Sequence, residues 1–232
     1  MKNFTIIAHR GASGYEFENS ISAFKKAIEL KAAMIETDAQ ITKDGVIILN
    51  HDNGIKKTTN QKGFISKLTL DEIRKIPLQI GEIMPTYQDL LDLCKGKIEI
   101  NLEIKARRIE KKVIDITIKN DMLDNVIFSS FSLKTLKTLR EYNNSARLAY
   151  LIIIEGSFIA RLNYWMKKIT DLKIESINPF HMFISSKLTN EAHKQNILIY
   201  PWTINDASEI RRLIKEKNID GVFTDYPDIL NK

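Results

Sequence analysis

The 232 residues contain a single cysteine, Cys94, which excludes an intramolecular disulfide and the usual cysteine-built zinc sites. A reducing compartment is the simplest fit. Glycine and proline are scarce, at nine and five residues, and no low-complexity tract occurs, so the chain is neither fibrous nor disordered in type. Long apolar runs are missing too. MKNFTIIAHR offers only four or five apolar residues before His9 and Arg10, too few for the core of a secretory signal. YLIII at 150–154 falls far below a membrane span. We therefore expect a cytoplasmic protein without stable membrane insertion. No GxGxxG or GxxxxGK[ST] phosphate loop occurs, which removes the commonest nucleotide-binding signatures.

What is present describes an ordinary globular chain. Its length suits one large domain or two small ones, and 44% of residues are hydrophobic, enough for a packed core. The net charge is +6 with a pI near 9.2. Lysines alternate with glutamates and aspartates along helical stretches instead of forming a block, so no nucleic-acid partner is expected. A mildly positive protein would attract anionic small molecules or anionic surfaces equally well.

Short apolar or alternating runs read as strands at 4–8, 33–38, 97–105, 125–130, 147–153, 173–178, 197–202 and 220–225. Stretches with helical periodicity lie between them, several beginning at a capping residue such as Ser132, Ser157 or Asp206. Apart from one long gap, strand starts fall roughly 22 to 29 residues apart, the length of a β-loop-α-loop unit. Eight such units predict a single-domain α/β chain over 1–232, a (β/α)₈ TIM barrel. A doubly wound open sheet usually carries fewer strands. The long gap, residues 53–96, follows the short strand VIILN and reads as an insertion in the second βα unit. It holds two helical patterns, Leu68 to Ile76 with a start at Asp71, and TYQDLLDLC after Pro85. Such an insertion emerges at the C-terminal face of a barrel, where it can wall a site.

The chemistry-bearing stretch is AAMIETDAQITKDGVIILNHD, residues 32–52. Side chains at i and i+2 of a strand share a face, so Glu36 and Asp38 point the same way and repel. A lone pair of this kind is usually a solvated strand end. This one has company: His9 and Arg10 end the first strand, His51 follows VIILN, and KIEINLEIK alternates strictly. Ile98, Ile100, Leu102 and Ile104 fall on one face of that strand; Glu99, Asn101, Glu103 and Lys105 fall on the other. Four polar side chains inside a barrel cost several kcal/mol unless they pair or bind an ion. A mutual salt bridge and a cation site both satisfy that condition.

The run from His9 to Thr59, followed in order by NLEIK, SSFS, PWTIND and GVFTDYPD, resembles the glycerophosphodiester phosphodiesterase family from His9 to Asp228. Each motif is short; the ordered set is specific. The family is a (β/α)₈ barrel. The resemblance implies that Glu36, Asp38 and Glu103 hold one divalent metal ion, Mg²⁺ or Ca²⁺, that His9 and His51 share the acid-base work, and that Arg10 and Lys105 bind phosphate. It places Trp202 on the glycerol side of the pocket, where core packing is an equal alternative, and it matches Glu18, read here as a helix-entry residue. The implied reaction is hydrolysis of a small-molecule glycerophosphodiester to glycerol 3-phosphate and an alcohol, through a cyclic phosphate or directly. Two alternatives stand beside it: a lysophospholipase D-type enzyme acting on monoacylated phospholipids, and a catalytically silent barrel used as a binding module. The second has no reason to keep both histidines and all three carboxylates.

His193, in the polar run NEAHKQN, reads as a surface residue, and His181, after the sixth strand, as a plain loop residue. Phe158, Ile159, Leu162, Tyr164, Trp165 and Met166 form a large apolar segment. We expect the inner face of a barrel helix there; exposed, the segment would suit lipid or a second subunit in a homo-oligomer.

Overall fold

The computed structural model describes residues 4–153 and 162–231. From the N-terminus the strands are β1 (Thr5–Ala8), β2 (Met34–Ile41), β3 (Ile47–Leu49), β4 (Glu99–Ile104), β5 (Val126–Ser130), β6 (Arg147–Ile152), β7 (Ser176–Pro179), β8 (Leu198–Ile199) and β9 (Gly221–Thr224). Eight run parallel in the order β8-β7-β6-β5-β4-β2-β1-β9, and β3 pairs antiparallel with β2. The expected (β/α)₈ architecture is thus a nearly closed TIM-like barrel with one added strand. β8 is short because Pro201 has no N–H to offer a ladder. Backbone hydrogen bonds still carry the ring across: Asp220 N–H to Ile199 O at 3.0 Å, and Phe223 N–H to Pro201 O and Ile204 N–H to Phe223 O, both at 2.9 Å.

Helices α1 (Ile21–Glu29), α2 (Lys56–Thr59), α3 (Leu70–Ile73), α4 (Tyr87–Cys94), α5 (Glu110–Lys119), α6 (Leu133–Tyr142), α7 (Leu162–Asp171), α8 (Ser186–Lys194) and α9 (Ala207–Lys217) connect the strands. Ser132 and Asp206 cap α6 and α9 as expected, each accepting from the N–H three residues on. Ser157 lies outside the described residues. The helix expected over 68–76 is shorter, and it starts from Thr69 instead of Asp71. Thr69 and Glu72 form a reciprocal capping box, and Pro77 disfavours helical conformation in the residue before it.

The barrel separates two apolar regions. Outward residues such as Ile35, Ile100, Leu102, Ile104 and Phe128 pack beneath the helices. Inside, Ile7, Met34, Ile127, Ala149, Tyr200 and Phe223 fill the waist. The alternation read in 97–105 holds, and the inward side chains of β4 find partners, although the Asn101 Nδ2 group has none among the described residues. Glu99 meets Arg147 at 2.9 Å, Asn101 accepts from Ser129 at 2.6 Å, and Glu103 meets Lys105 at 2.9 Å. A third cluster lies in the long β2–β4 connection, where Ile48, Ile55, Ile65, Ile73, Leu78 and Met84 bury one another. At about 1.5–3 kcal/mol gross per side chain, those residues are committed to packing. α4 instead joins the main core through Tyr87, Leu90, Leu91 and Cys94. Among the described residues no helix is long and apolar enough to cross a membrane.

At the N-terminal end of the barrel Arg147 bridges strands, meeting Glu99 at 2.9 Å and Glu175 at 2.7 Å. Replacing Arg147 with Met should cost about 2 kcal/mol, because it leaves two half-buried carboxylates without their charged donor. Urea denaturation measures this, and an unshifted midpoint would show the bridge to be idle.

Candidate active site

Strand register assembles the charged residues at the C-terminal end, the face on which barrel sites are built. β2 and β4 place Asp38 beside Glu103 and Glu36 beside Asn101. β1 aligns Ala8 with Ile35 on one side and Thr224 on the other, so His9 emerges between Glu36 and Asp225. The turn that follows is tight. Arg10 has φ of 54° and Gly11 of 83°, and a Cβ on Gly11 would lie 2.8 Å from the Ala23 backbone, a space only glycine fits. This conformation aims the Arg10 N–H at Glu36 Oε2, 2.9 Å away.

Glu36, Asp38 and Glu103 are buried, and one carboxylate oxygen of each lies within 4.8 Å of the others. Asn19 Nδ2 donates to Asp38 Oδ2 at 3.1 Å, and Arg10 Nε approaches the same oxygen at 3.5 Å. Asp38 Oδ1 has no hydrogen-bond partner, although Lys105 Nζ lies 3.5 Å away. Burial and the neighbouring Asp38 carboxylate push Glu36 up to about 7 and Glu103 up to about 8. An all-oxygen donor set with excess negative charge and an orphaned buried oxygen fits a hard divalent cation.

Both histidines are oriented through Nδ1. His9 Nδ1–H donates to Asp225 Oδ1 at 2.7 Å, since a carboxylate can only accept. Asp225 is itself fixed by the Ser13 hydroxyl and by the Asn205 amide. His51 Nδ1–H donates to Asp52 Oδ1 at 2.8 Å, while its Nε2 accepts from Lys105 Nζ at 3.1 Å. Their environments differ. Burial alone would lower the His9 pKa, but the Asp225 hydrogen bond and the Glu36 carboxylate outweigh it and raise the value. Burial lowers His51, helped by Arg10 and Lys105 against the pull of Asp38.

A cavity of about 140 Å³ unites all eight residues singled out from the sequence, His9, Arg10, Glu36, Asp38, His51, Glu103, Lys105 and Trp202. Phe131, Leu151 and Phe223 complete its wall. The Trp202 ring lines the cavity and packs on Phe131 and Phe180 at 5.6 and 5.2 Å, while its Nε1–H donates to Asn178 O. Glu18 bonds Arg10 Nη1 at 2.8 Å. The insertion adds no residue from 53–96 to this cavity. His181 sits in a one-turn helix against Phe180. His193 is half-buried rather than a free surface group, bonding Asp220 at 2.8 Å and tying α8 to β9. Sequence reasoning missed the two aspartates behind the histidines. Asp52 directly follows His51, and that adjacency was an available signal; Asp225 follows the last strand, 216 positions from His9, and only the fold brings the two together.

Oriented histidines, two cations and a carboxylate trio at the mouth of a parallel barrel define an acid-base site for an anionic ester. The family model described as the glycerophosphoryl diester phosphodiesterase family matches residues 9–229, and the chain belongs to this family of enzymes. A glycerophosphodiester phosphodiesterase of Caldanaerobacter subterraneus subsp. tengcongensis is 33% identical, the match covering 97% of this chain and 95% of that one. The crystal structure of the Thermotoga maritima glycerophosphodiester phosphodiesterase superposes with a TM-score of 0.86 at 28% identity, over 100% of this chain and 98% of that one. An Oleispira antarctica phosphodiesterase, solved in complex with its product sn-glycerol-3-phosphate, shares the fold at 22% identity with a TM-score of 0.85, over 98% and 95% of the two chains.

Asp225→Asn should lower the His9 pKa, because it removes the negative charge that favours the imidazolium. NMR titration of the ring reads this directly. An unchanged titration would show that Asp225 does not set the protonation of His9.

Proposed function

We propose that this chain hydrolyses glycerophosphodiesters to glycerol 3-phosphate and a free alcohol, using a divalent cation and two histidines. The observation that carries the reading is the pair of histidines, each held through Nδ1 by an aspartate, flanking one buried carboxylate trio. The activity named for the 33%-identical relative supports it.

Glu36, Asp38 and Glu103 would hold the cation, which when bound draws electron density from a non-bridging phosphate oxygen. Arg10 and Lys105 take the remaining phosphate oxygens, the first through its planar fork and the second as a point charge. His51 is the base: its Nε2 lone pair, kept unprotonated by burial and nearby cations, accepts the proton of the attacking hydroxyl, whether the substrate's own or that of water. His9 is the acid: Asp225 favours its imidazolium, and Nε2–H protonates the oxygen that leaves. Lys105 touches both the base and the carboxylates, so phosphate binding and base orientation share one side chain.

Chelator-treated protein should lose turnover and recover it with Mg²⁺ or Ca²⁺, and Glu103→Gln should bind the cation more weakly by calorimetry. Full turnover by protein shown metal-free by elemental analysis would overturn the metal assignment.

A second reading, cleavage of monoacylated phospholipids, draws on exposed apolar groups at the rim beside Trp202: Phe131, Ile153, Met182 and Phe183 are 40%, 59%, 71% and 46% exposed. Most of the other candidates for an acyl channel are committed to packing, whereas Ile80 is 47% exposed in the groove beside the cavity. Leu78 and Met84 are sealed in the insertion cluster, which Ile76 packs against, and Leu162 and Met166 are buried in the main core, on which Trp165 also packs. Tyr164 is exposed, and Phe158 and Ile159 lie outside the described residues. A bound chain must recover about 0.8 kcal/mol per methylene in an apolar channel, and the enclosed cavity is small. We expect kcat/KM to favour the deacylated member of a pair sharing one headgroup, measured below the micelle concentration. Preference for the acylated member would select the second reading.

A further inference from the structure

The rim of the barrel carries opposite charge on its two sides. Among the described residues, the loops after β1 and β9 hold Glu16, Glu18, Asp225 and Asp228 against a single arginine, Arg10. The loops after β4, β5 and β7, taken with the first turns of α6 and α8, hold Lys105, Arg107, Arg108, Lys134 and Lys187 and no carboxylate. Lys105 is paired with Glu103. The side-chain cations of Arg107, Arg108, Lys134 and Lys187 form no ion pair or hydrogen bond among the described residues. Folding does not ask for all of them. The first turn of a helix favours an acidic side chain, as Asp89, Glu110 and Glu209 provide in α4, α5 and α9. In α6 and α8 the first turn has no acid, and Lys134 and Lys187 stand there instead.

Exposed apolar groups occupy the same sector. Phe131 follows β5 directly, and the register of Ile152 with Pro179 leaves Ile153 and Phe180 side by side where β6 and β7 end. The rings run together: Phe131 meets Trp202 at 5.6 Å, Trp202 meets Phe180 at 5.2 Å, and Phe180 meets Phe183 at 5.9 Å. The one-turn helix His181–Phe183 turns Met182 and Phe183 into solvent, and Met182 is the most exposed large apolar side chain among the described residues. Phe131 and Ile153 are exposed beside them. A continuous apolar patch of this kind, bordered by unpaired cations, suits a surface that is apolar beneath and anionic above. A second copy of the chain would bring like charges together. A nucleic acid would engage the cations but gain nothing from the aliphatic Ile153 and Met182.

We propose that this half of the rim is a docking surface for an anionic phospholipid bilayer. Phe131, Ile153, Met182 and Phe183 enter the headgroup layer, and Arg107, Arg108, Lys134 and Lys187 meet lipid phosphates. The adsorption is peripheral and reversible. Because Phe131 and Trp202 also line the catalytic cavity, the docked face borders its mouth, while the acidic half of the rim stays in water. Docking holds the enzyme and not its substrate, so it is independent of which diester is cleaved.

The test is flotation of the full chain with vesicles of phosphatidylcholine alone and of an equimolar mixture with phosphatidylglycerol. The parent should bind the anionic vesicles at least about tenfold more tightly than the neutral ones, and less tightly as salt rises. Met182→Ser with Phe183→Ser should weaken that binding by about tenfold, and so should Lys134→Gln with Lys187→Gln. All four side chains are exposed, so the thermal midpoint should not move. Lys215→Gln with Lys217→Gln takes the same charge from the last turn of α9, at the opposite end of the barrel, and should leave binding intact. No preference for anionic vesicles, full binding by the Met182 and Phe183 variant, or equal losses in the two lysine pairs would each overturn the proposal. A dimer in sedimentation that the Met182 and Phe183 variant dissolves, or retention of RNA without binding to vesicles, would give the patch to another partner and overturn it as well.

Discussion

Three carboxylates are held together out of water, and most of the mouth of the barrel is arranged around that repulsion. With donor oxygens within 4.8 Å of one another, each ionised pair repels by at least roughly 3 kcal/mol at an effective dielectric constant near 20. The protein answers with Arg10 and Lys105 on either flank of Asp38, with the Asn19 amide, and with the Arg10 N–H on Glu36. These do not suffice, as the upward displacement of Glu36 and Glu103 shows. A bound dication would remove the deficit, and an anionic phosphate could then join it without excess positive charge accumulating.

The strained turn at Arg10 belongs to the same account. A left-handed arginine costs on the order of 1 kcal/mol, which is small beside the desolvation of Glu36 that its N–H relieves. The turn also releases the guanidinium toward Glu18 and Asp38 while leaving His9 in register with Asp225. The N–H on Glu36, the guanidinium contacts with Glu18 and Asp38, and the His9–Asp225 hydrogen bond thus share one three-residue segment closed by Gly11.

Strand positions, their alternation and the eight charged and aromatic residues were legible in the sequence because they obey short-range rules. A period of two put Glu36 with Asp38 and Glu99, Asn101 and Glu103 on one face, and ordered motifs supplied the rest. What was not legible depends on contacts distant in the chain. Asp225 reaches His9 across 216 positions, and the partner of Glu99 is Arg147, 48 residues on. The helix expected over 68–76 is shortened to Leu70–Ile73 for a local reason that was readable, the Thr69–Glu72 box and Pro77. The role of the insertion was not readable: its periodic apolar residues fitted a wall of the site as well as a cluster of their own, and only packing distinguishes the two.

The rim of the barrel is divided. Loops after β5 and β7 bring Phe131 and Phe180 into ring contact with Trp202, which follows β8, while the loop after β1 brings Tyr15, Glu16 and Glu18. The histidines follow this division in their chemistry. His9 stands on the acidic side, where carboxylates favour its charged form. His51 stands against Lys105, which itself lies 5.9 Å from the Phe131 ring and so links the base to the aromatic side. In the reading proposed above, a diester spanning the centre would meet the acid toward one arm and the base toward the other. The same distribution of charge that shifts the two histidines in opposite directions would then also orient that substrate between them.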